Sequence, residues 1–158
     1  MSDASSDTSG VGFPPPLIYA GGLAAGYGAH RLLPIRVWPE PRALQSLLGW
    51  GLLVAGVLLA VSAAYLFRRA GTTPNPSKPT SALVIRGPYR FTRNPMYVGM
   101  TTLYLGGTLL LNDPWPLAFL PVVLALLQRY VIAREEAYLE RKFGDVYRAY
   151  KARVRRWI

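Results

Sequence analysis

Long uncharged apolar runs are the feature that most limits what this chain can fold into. The run from Ala43 to Phe67 has no charged side chain, and neither do the runs from Pro95 to Asn112 and from Pro114 to Leu127. About 20 apolar residues cross a bilayer as a helix, and shorter runs do so with local thinning. Several such helices in 158 residues would leave a soluble bundle too few polar faces. The sequence therefore predicts an all-α integral membrane protein.

Four apolar segments predict about four transmembrane helices. They run from about Leu17 to Leu33, Ala43 to Phe67, Pro95 to Leu111 and Trp115 to Ala133. Asn112, Asp113 and Pro114 predict a tight turn, so the last two segments should form a helical hairpin.

Small residues in the first segment predict close helix packing. Gly22 and Gly26 are four residues apart, and Ala24 and Gly28 lie on a neighbouring row. Small residues at this spacing let membrane helices approach closely, and the pattern indicates nothing more specific.

Composition and charge divide the chain into three regions. Residues 1–13 are polar and slightly acidic, lack the features of a signal peptide, and predict a disordered tail. Residues 14–67 hold the first two transmembrane helices. Residues 68–158 hold a loop, the hairpin and a C-terminal helical tail. The loop up to residue 94 is basic without an acid, and the tail from residue 134 has eight basic and four acidic residues.

This charge distribution predicts a multi-pass topology with both termini in the cytoplasm. The positive-inside rule assigns the basic loop and the basic tail to that side of the membrane. The net charge is +10, and the basic cytoplasmic face is expected to attract anionic lipid headgroups. No nucleic acid partner is expected.

Residue composition also excludes several kinds of site. The chain has no cysteine and a single histidine, His30, so disulfides, a thiol nucleophile and a zinc or iron centre are not expected. It has no Gly-x-Ser-x-Gly turn, which argues against a serine hydrolase.

The segment GPYRFTRNPMYVG, from Gly87 to Gly99, is the first candidate site because it mixes arginine and tyrosine at a membrane border. Asn94 predicts a helix N-cap and Pro95 a first helical position. The free N–H groups of such a helix end attract anions, and Arg93 precedes it directly. An interfacial cap with snorkelling arginines would give the same pattern. The residues alone leave both interpretations open.

A second candidate is the pair of carboxylates Glu135 and Glu136, which follows the fourth segment and lies close to Arg129 and Arg134. One role is to bind a cationic ligand. The other is ion pairing, for example between Glu136 and Arg129 or between Glu135 and Arg134.

The tail predicts a helix with a break at Gly144. Apolar and aromatic residues recur around it at three- and four-residue steps. They are Phe143, Val146, Tyr147, Tyr150, Val154 and Trp157. We expect this stripe to lie on the bilayer or on other helices rather than to contact a substrate.

The combination of these motifs resembles the isoprenylcysteine carboxyl methyltransferase and phospholipid methyltransferase family of integral membrane enzymes. The resemblance covers about Ser81 to Trp157. The matching positions are Leu83, Val84, Gly87, Pro88, Tyr89, Arg93, Pro95, Tyr97, Gly99, Glu135, Glu136, Leu139, Phe143, Gly144, Tyr147 and Tyr150.

This resemblance implies methyl transfer from S-adenosylmethionine to a lipid-like acceptor, with no metal required. The implied cofactor-binding residues are Leu83, Val84, Tyr89, Arg93, Asn94, Pro95, Met96, Tyr97 and Glu135. Arg129 or Arg134 would orient the acceptor, and Glu136 would assist deprotonation of an amine acceptor. The family usually has histidine where this chain has Asn94, so proton transfer is not expected there.

Two other functions remain open from the sequence. The C-terminal region also resembles NADPH-dependent membrane reductases of the sterol reductase type, which are usually much longer. A non-catalytic membrane protein that binds anionic lipid would also carry a basic cytoplasmic face.

Overall fold

The computed structural model describes residues 7–39, 42–75 and 77–158, and it confirms the all-α prediction. The helices are α1 (Pro16–Leu32), α2 (Ala43–Arg69), α3 (Pro95–Leu111), α4 (Pro114–Leu127) and α5 (Ala133–Arg153). A short 3-10 helix covers Gly87–Arg90, and a π-helical turn at Gln128–Ile132 joins α4 to α5. The β-structure in these three ranges is an isolated bridge between Thr92 and Arg155.

Within the described ranges, two helices are long and apolar enough to cross a membrane. One is α2, and the other is the continuous helix Pro114–Arg153, which contains α4, the π-helical turn and α5. The helices α1 and α3 have 17 residues each and are shorter than a typical span. The number of spans, predicted as about four, therefore stays a prediction.

Glycines bring α2 and α3 into backbone contact. A Cβ atom added at Gly56 would lie 2.8 Å from the Gly99 carbonyl oxygen, and one added at Gly106 would lie 2.8 Å from the Gly49 carbonyl oxygen. Since Gly49 meets Gly106 and Gly56 meets Gly99, the two helices run antiparallel. Such close approach increases dispersion contact where lipid offers no hydrophobic driving force.

The helices α1 and α4 pack in the same way, as the spacing of Gly22 and Gly26 predicts. Gly22 lies against Val123, and a Cβ atom at Gly26 would lie 2.7 Å from the Pro116 nitrogen. Gly28 has no described atom within 4 Å of the position of its added Cβ. The prediction of close packing is confirmed for the Gly22 and Gly26 row alone.

The predicted turn between α3 and α4 is confirmed. Asn112 has a left-handed backbone with φ of 54°, which asparagine tolerates better than most residues. The Asp113 carboxylate caps α4 by accepting a hydrogen bond from the Trp115 N–H at 3.0 Å. Pro114 then begins α4.

The N-terminal segment differs from its prediction. Val11 is only 2% exposed and its carbonyl accepts a hydrogen bond from Ser77 Oγ at 2.8 Å, while Asp7 pairs with Lys142 at 2.7 Å. The prediction of disorder over residues 1–13 is wrong for residues 7–13, because Val11 gives this polar stretch an apolar anchor. Residues 1–6 lie outside the described ranges.

Candidate functional site

A cavity lies where the start of α3, the loop after α2 and α5 meet, and it is called the main cavity below. The space between its walls is about 850 Å³, including its mouth. Eight of the nine predicted cofactor-binding residues line it: Leu83, Val84, Tyr89, Arg93, Asn94, Met96, Tyr97 and Glu135. Pro95 is buried in the first turn of α3 and is not among the lining residues.

The start of α3 is where the sequence predicts it, but its capping differs. Asn94 occupies the N-cap position, and the Val98 N–H donates to its carbonyl at 3.0 Å. The prediction that Asn94 is the N-cap of α3 is confirmed by position. Its side chain makes no capping bond within the described ranges, and its Nδ2 instead donates to the Arg156 carbonyl at 2.9 Å.

Arg93 lines the main cavity and is held in place by two hydrogen bonds. Nη2 donates to Glu136 Oε1 and Nη1 to the Lys151 carbonyl, both at 2.9 Å. Nε is buried and has no hydrogen-bond partner among the described residues. The guanidinium group therefore places a positive charge, partly offset by Glu136, at this wall of the cavity.

Glu136 joins three parts of the chain rather than facing a ligand. Its oxygens accept from Arg93 and from Arg156, whose Nη2 lies 2.6 Å from Oε2. Bidentate arginine–carboxylate contacts of this kind are strong and directional. Of the two roles that the sequence left open, Glu136 takes ion pairing, with Arg93 and Arg156 rather than with Arg129. A role for Glu136 in deprotonating an acceptor loses support, because guanidinium groups engage both of its oxygens.

Glu135 lines the main cavity from α5. The Tyr97 hydroxyl donates to Glu135 Oε1 at 2.8 Å, which joins α5 to α3. Burial raises the pKa of Glu135 to about 7, the Tyr97 hydrogen bond opposes this, and the nearby Glu136 charge adds to it. A cationic group in the cavity would favour the ionised carboxylate, so Glu135 is suited to bind an ammonium.

The rest of the wall is aliphatic and aromatic. Val84 and Tyr89 are buried beside Phe67, whose ring meets that of Tyr89 edge-on with centroids 5.5 Å apart. Tyr89 is held in turn by Tyr150, whose hydroxyl donates to the Tyr89 carbonyl at 2.7 Å. This wall is suited to a flat, weakly polar ring.

Tyr147 and Tyr150 are cavity residues that the stripe interpretation missed. They are 1% and 5% exposed and line the main cavity, whereas Val146 is 64% exposed. The predicted break at Gly144 is confirmed by a φ of 52°, and it redirects the rest of α5. The prediction that the whole stripe avoids the site is wrong, because the kink changes which face of the helix points inward.

The C-terminal segment after α5 bonds to the residues just before α3, which the sequence analysis did not predict. The Arg155 carbonyl accepts from the Arg93 N–H at 2.9 Å, and the Arg156 carbonyl accepts from Thr92 Oγ1 at 3.1 Å. Trp157 donates to Gln128 at 3.2 Å. The only signal in the sequence was a basic cluster, which does not specify backbone pairing.

Arg129 and Arg134 are not brought to the main cavity. They line a separate surface pocket with Tyr130, Ala133 and Ala137. Arg134 also donates to the Gly10 carbonyl at 3.0 Å. Neither arginine lines the cavity that holds Glu135, so the prediction that one of them orients an acceptor beside the cofactor gains no support here and stays a prediction.

Comparison with known proteins agrees with the arrangement of these elements. An uncharacterized protein of Haemophilus influenzae is 48% identical over 65 residues, which are 40% of this chain and 100% of that protein. No solved structure matches. Residues 44–146, from the first turn of α2 to just past Gly144, match the model of the phospholipid methyltransferase family. Because this match covers more than half of the chain, the protein belongs to the phospholipid methyltransferase family.

Proposed function

We propose that this protein transfers a methyl group from S-adenosylmethionine to a lipid-like acceptor at the membrane. Family membership supports methyl transfer in general. The observation that supports this cofactor is that a cationic side chain, Arg93, and an acidic one, Glu135, line the same cavity. S-adenosylmethionine bears a carboxylate, an ammonium and an adenine, and the cavity offers a complementary group for each.

Each wall of the main cavity then has a distinct binding role. The Arg93 guanidinium and the first-turn N–H groups of α3 would bind the carboxylate of the cofactor. Glu135 would bind its ammonium. The adenine would lie against Val84 and Tyr89. Bound in this way, the sulfonium of the cofactor supplies an electrophilic methyl group.

The protein would accelerate the reaction mainly by alignment and by excluding water. Tyr97 holds Glu135 in position, and Glu136 holds Arg93, so the two charged contacts are pre-oriented before the cofactor arrives. Pre-orientation lowers the entropic cost of binding.

We further propose that α1 to α4 all cross the membrane, with both termini in the cytoplasm. The basic loop before α3 and the basic tail support this orientation. The acceptor would be an isoprenoid, such as an isoprenylated cysteine, or a phospholipid. Anionic headgroups would bind the basic cytoplasmic face, and their affinity would fall as the salt concentration rises.

The proposal is tested with the purified full-length protein in detergent, methyl-labelled S-adenosylmethionine and a membrane lipid extract. We expect label in the lipid fraction and saturable cofactor binding. Saturable binding of NADPH, with none of S-adenosylmethionine, would overturn the proposal in favour of a reductase. Binding of neither cofactor, with salt-sensitive binding to anionic vesicles, would favour a non-catalytic lipid-binding protein.

A further inference from the structure

A second cavity adjoins the main one, and it is called the side cavity below. Its walls enclose about 730 Å³, including open space, between the segment before α1, the loop after α2 and the first turns of α3. Four residues line both cavities: Pro74, Asn75, Met96 and Tyr97. A molecule in the side cavity is therefore separated from the main cavity by single side chains.

The two cavities differ in chemistry. The main cavity is lined by Arg93, Glu135 and Glu136. The described lining of the side cavity has no charged residue and consists mostly of prolines and of Met96, Tyr97 and Met100. An uncharged lining disfavours the charged end of the cofactor and favours an apolar group. The pair of cavities is thus suited to two different ligands that meet at Tyr97.

One wall of the side cavity comes from the segment before α1, Pro14 to Pro16. The residues just before this wall are fixed to the rest of the protein. Ser77 Oγ donates to the Val11 carbonyl at 2.8 Å, and Arg134 donates to the Gly10 carbonyl at 3.0 Å. The wall is therefore a built part of the fold, and it precedes residue 44, where the family match begins.

We infer that the side cavity binds the apolar chain of the methyl acceptor, with the polar end of the acceptor at Tyr97 beside the main cavity. This inference rests on the proposed function, since a methyl acceptor must meet the cofactor. It also assigns acceptor selectivity to Pro14–Pro16 and Met100. The proline wall lies outside residues 44–146, which match the family model.

Met100 offers the sharpest test because it lines the side cavity and does not line the main cavity. Met100→Trp fills the cavity and Met100→Ala enlarges it. Leu117→Trp is the matched control, since Leu117 is 50% exposed on α4 and lines neither cavity. Each protein is assayed with S-adenosylmethionine and with two acceptor series, phosphatidylethanolamines and S-prenylated cysteines, each of short and long apolar chain.

For Met100→Trp we expect KM for long-chain acceptors to rise about tenfold or more, because each excluded methylene loses about 0.8 kcal/mol of burial. The Kd for S-adenosylmethionine should stay within about twofold. Met100→Ala should shift preference towards longer chains, and this second variant keeps the test open if the tryptophan variant misfolds. Leu117→Trp should behave like the unmodified protein.

The outcomes separate this inference from the proposed function. If the unmodified protein binds S-adenosylmethionine and methylates a lipid, but neither Met100 variant changes KM or chain preference, the acceptor lies elsewhere and the inference is overturned. The same holds if a lipid occupies the side cavity but is never methylated. If the unmodified protein neither binds the cofactor nor transfers methyl groups, the cofactor titration identifies the proposed function as the failure, and the inference falls with it.

Discussion

The helical bundle and the end of this protein that holds the main cavity are held together by different physical means. In the bundle, α2 meets α3 through glycine backbones, and the threonine side chains of α3 bond to carbonyls of their own helix, as Thr108 does to the Tyr104 carbonyl at 2.9 Å. At the cavity end, buried charges and hydroxyls join segments far apart in the chain, as Glu136 does between Arg93 and Arg156. The bundle is therefore sensitive to side-chain size, and the cavity end to side-chain chemistry.

The largest expected effect comes from a substitution that disrupts the contact between α2 and α3 in the bundle. Gly56→Leu adds a Cβ atom 2.8 Å from the Gly99 carbonyl oxygen, and that backbone cannot move without separating α2 from α3. We expect a loss of about 3 kcal/mol or more in the free energy of unfolding. Thermal unfolding in detergent, followed by circular dichroism, measures this loss.

Gly51→Leu is the control for that variant. Gly51 lies on the same helix, and no described atom is within 4 Å of the position of its added Cβ. We expect a change within about 0.5 kcal/mol. Equal losses in both variants would show that helix contact through glycine does not determine the stability of the bundle.

The next largest effect concerns the charged residues at the cavity end. Glu135→Gln keeps the shape of the side chain but removes its charge, so the affinity for S-adenosylmethionine should fall about tenfold to a hundredfold, as for a lost charge-assisted contact of about 1.5–3 kcal/mol. Isothermal titration measures the Kd. The melting temperature should change little, since Tyr97 can still donate to the amide oxygen.

Glu140→Gln serves as its matched control on the same helix. Glu140 pairs with Lys151 and does not line the main cavity. The cofactor Kd should stay within about twofold of the unmodified protein. A comparable loss in both variants would indicate a general effect of net charge rather than a contact at Glu135.

A smaller effect is expected where the C-terminal segment contacts Glu136. Arg156→Met removes one of the two guanidinium groups on Glu136 but leaves Arg93 in place. We expect a loss of about 1–2 kcal/mol in unfolding free energy and a several-fold weaker cofactor affinity. Arg153→Met is the comparison, since the Arg153 side chain bonds the Ala149 carbonyl one turn away. If the two variants behave alike, the C-terminal segment does not organise the site.

The smallest predicted effect is a pH dependence of binding. Burial raises the pKa of Glu135 to about 7, so the carboxylate is mostly protonated at pH 6 and mostly ionised at pH 7.5. A cationic ligand binds the ionised form, and the α-amino group of the cofactor stays largely protonated over this range. Cofactor affinity should therefore rise several-fold from pH 6 to pH 7.5. In Glu135→Gln the curve should be flat, and a rise of equal size there would assign the titration to another group.

The difference between the two regions also explains what the sequence could predict. Apolar runs, the glycine spacing and the turn at Asn112 are local patterns, and they predicted α3, the turn and the packing of α1. The Asn94 side chain, by contrast, donates a hydrogen bond to the Arg156 carbonyl. These residues are 62 positions apart, and a local sequence pattern cannot predict such a contact. The resemblance to a family led to eight of the cavity residues. Tyr147 and Tyr150 were missed because their direction depends on the Gly144 kink.

The central claim is that Arg93 and Glu135 form the two charged ends of one cofactor site. Its most direct test is isothermal titration of S-adenosylmethionine and of NADPH into the full-length protein in detergent, repeated with Glu135→Gln. The account predicts one saturable site for S-adenosylmethionine, weakened about tenfold or more in the variant, and no saturable binding of NADPH. Equal affinity for S-adenosylmethionine in the unmodified protein and the variant would contradict it.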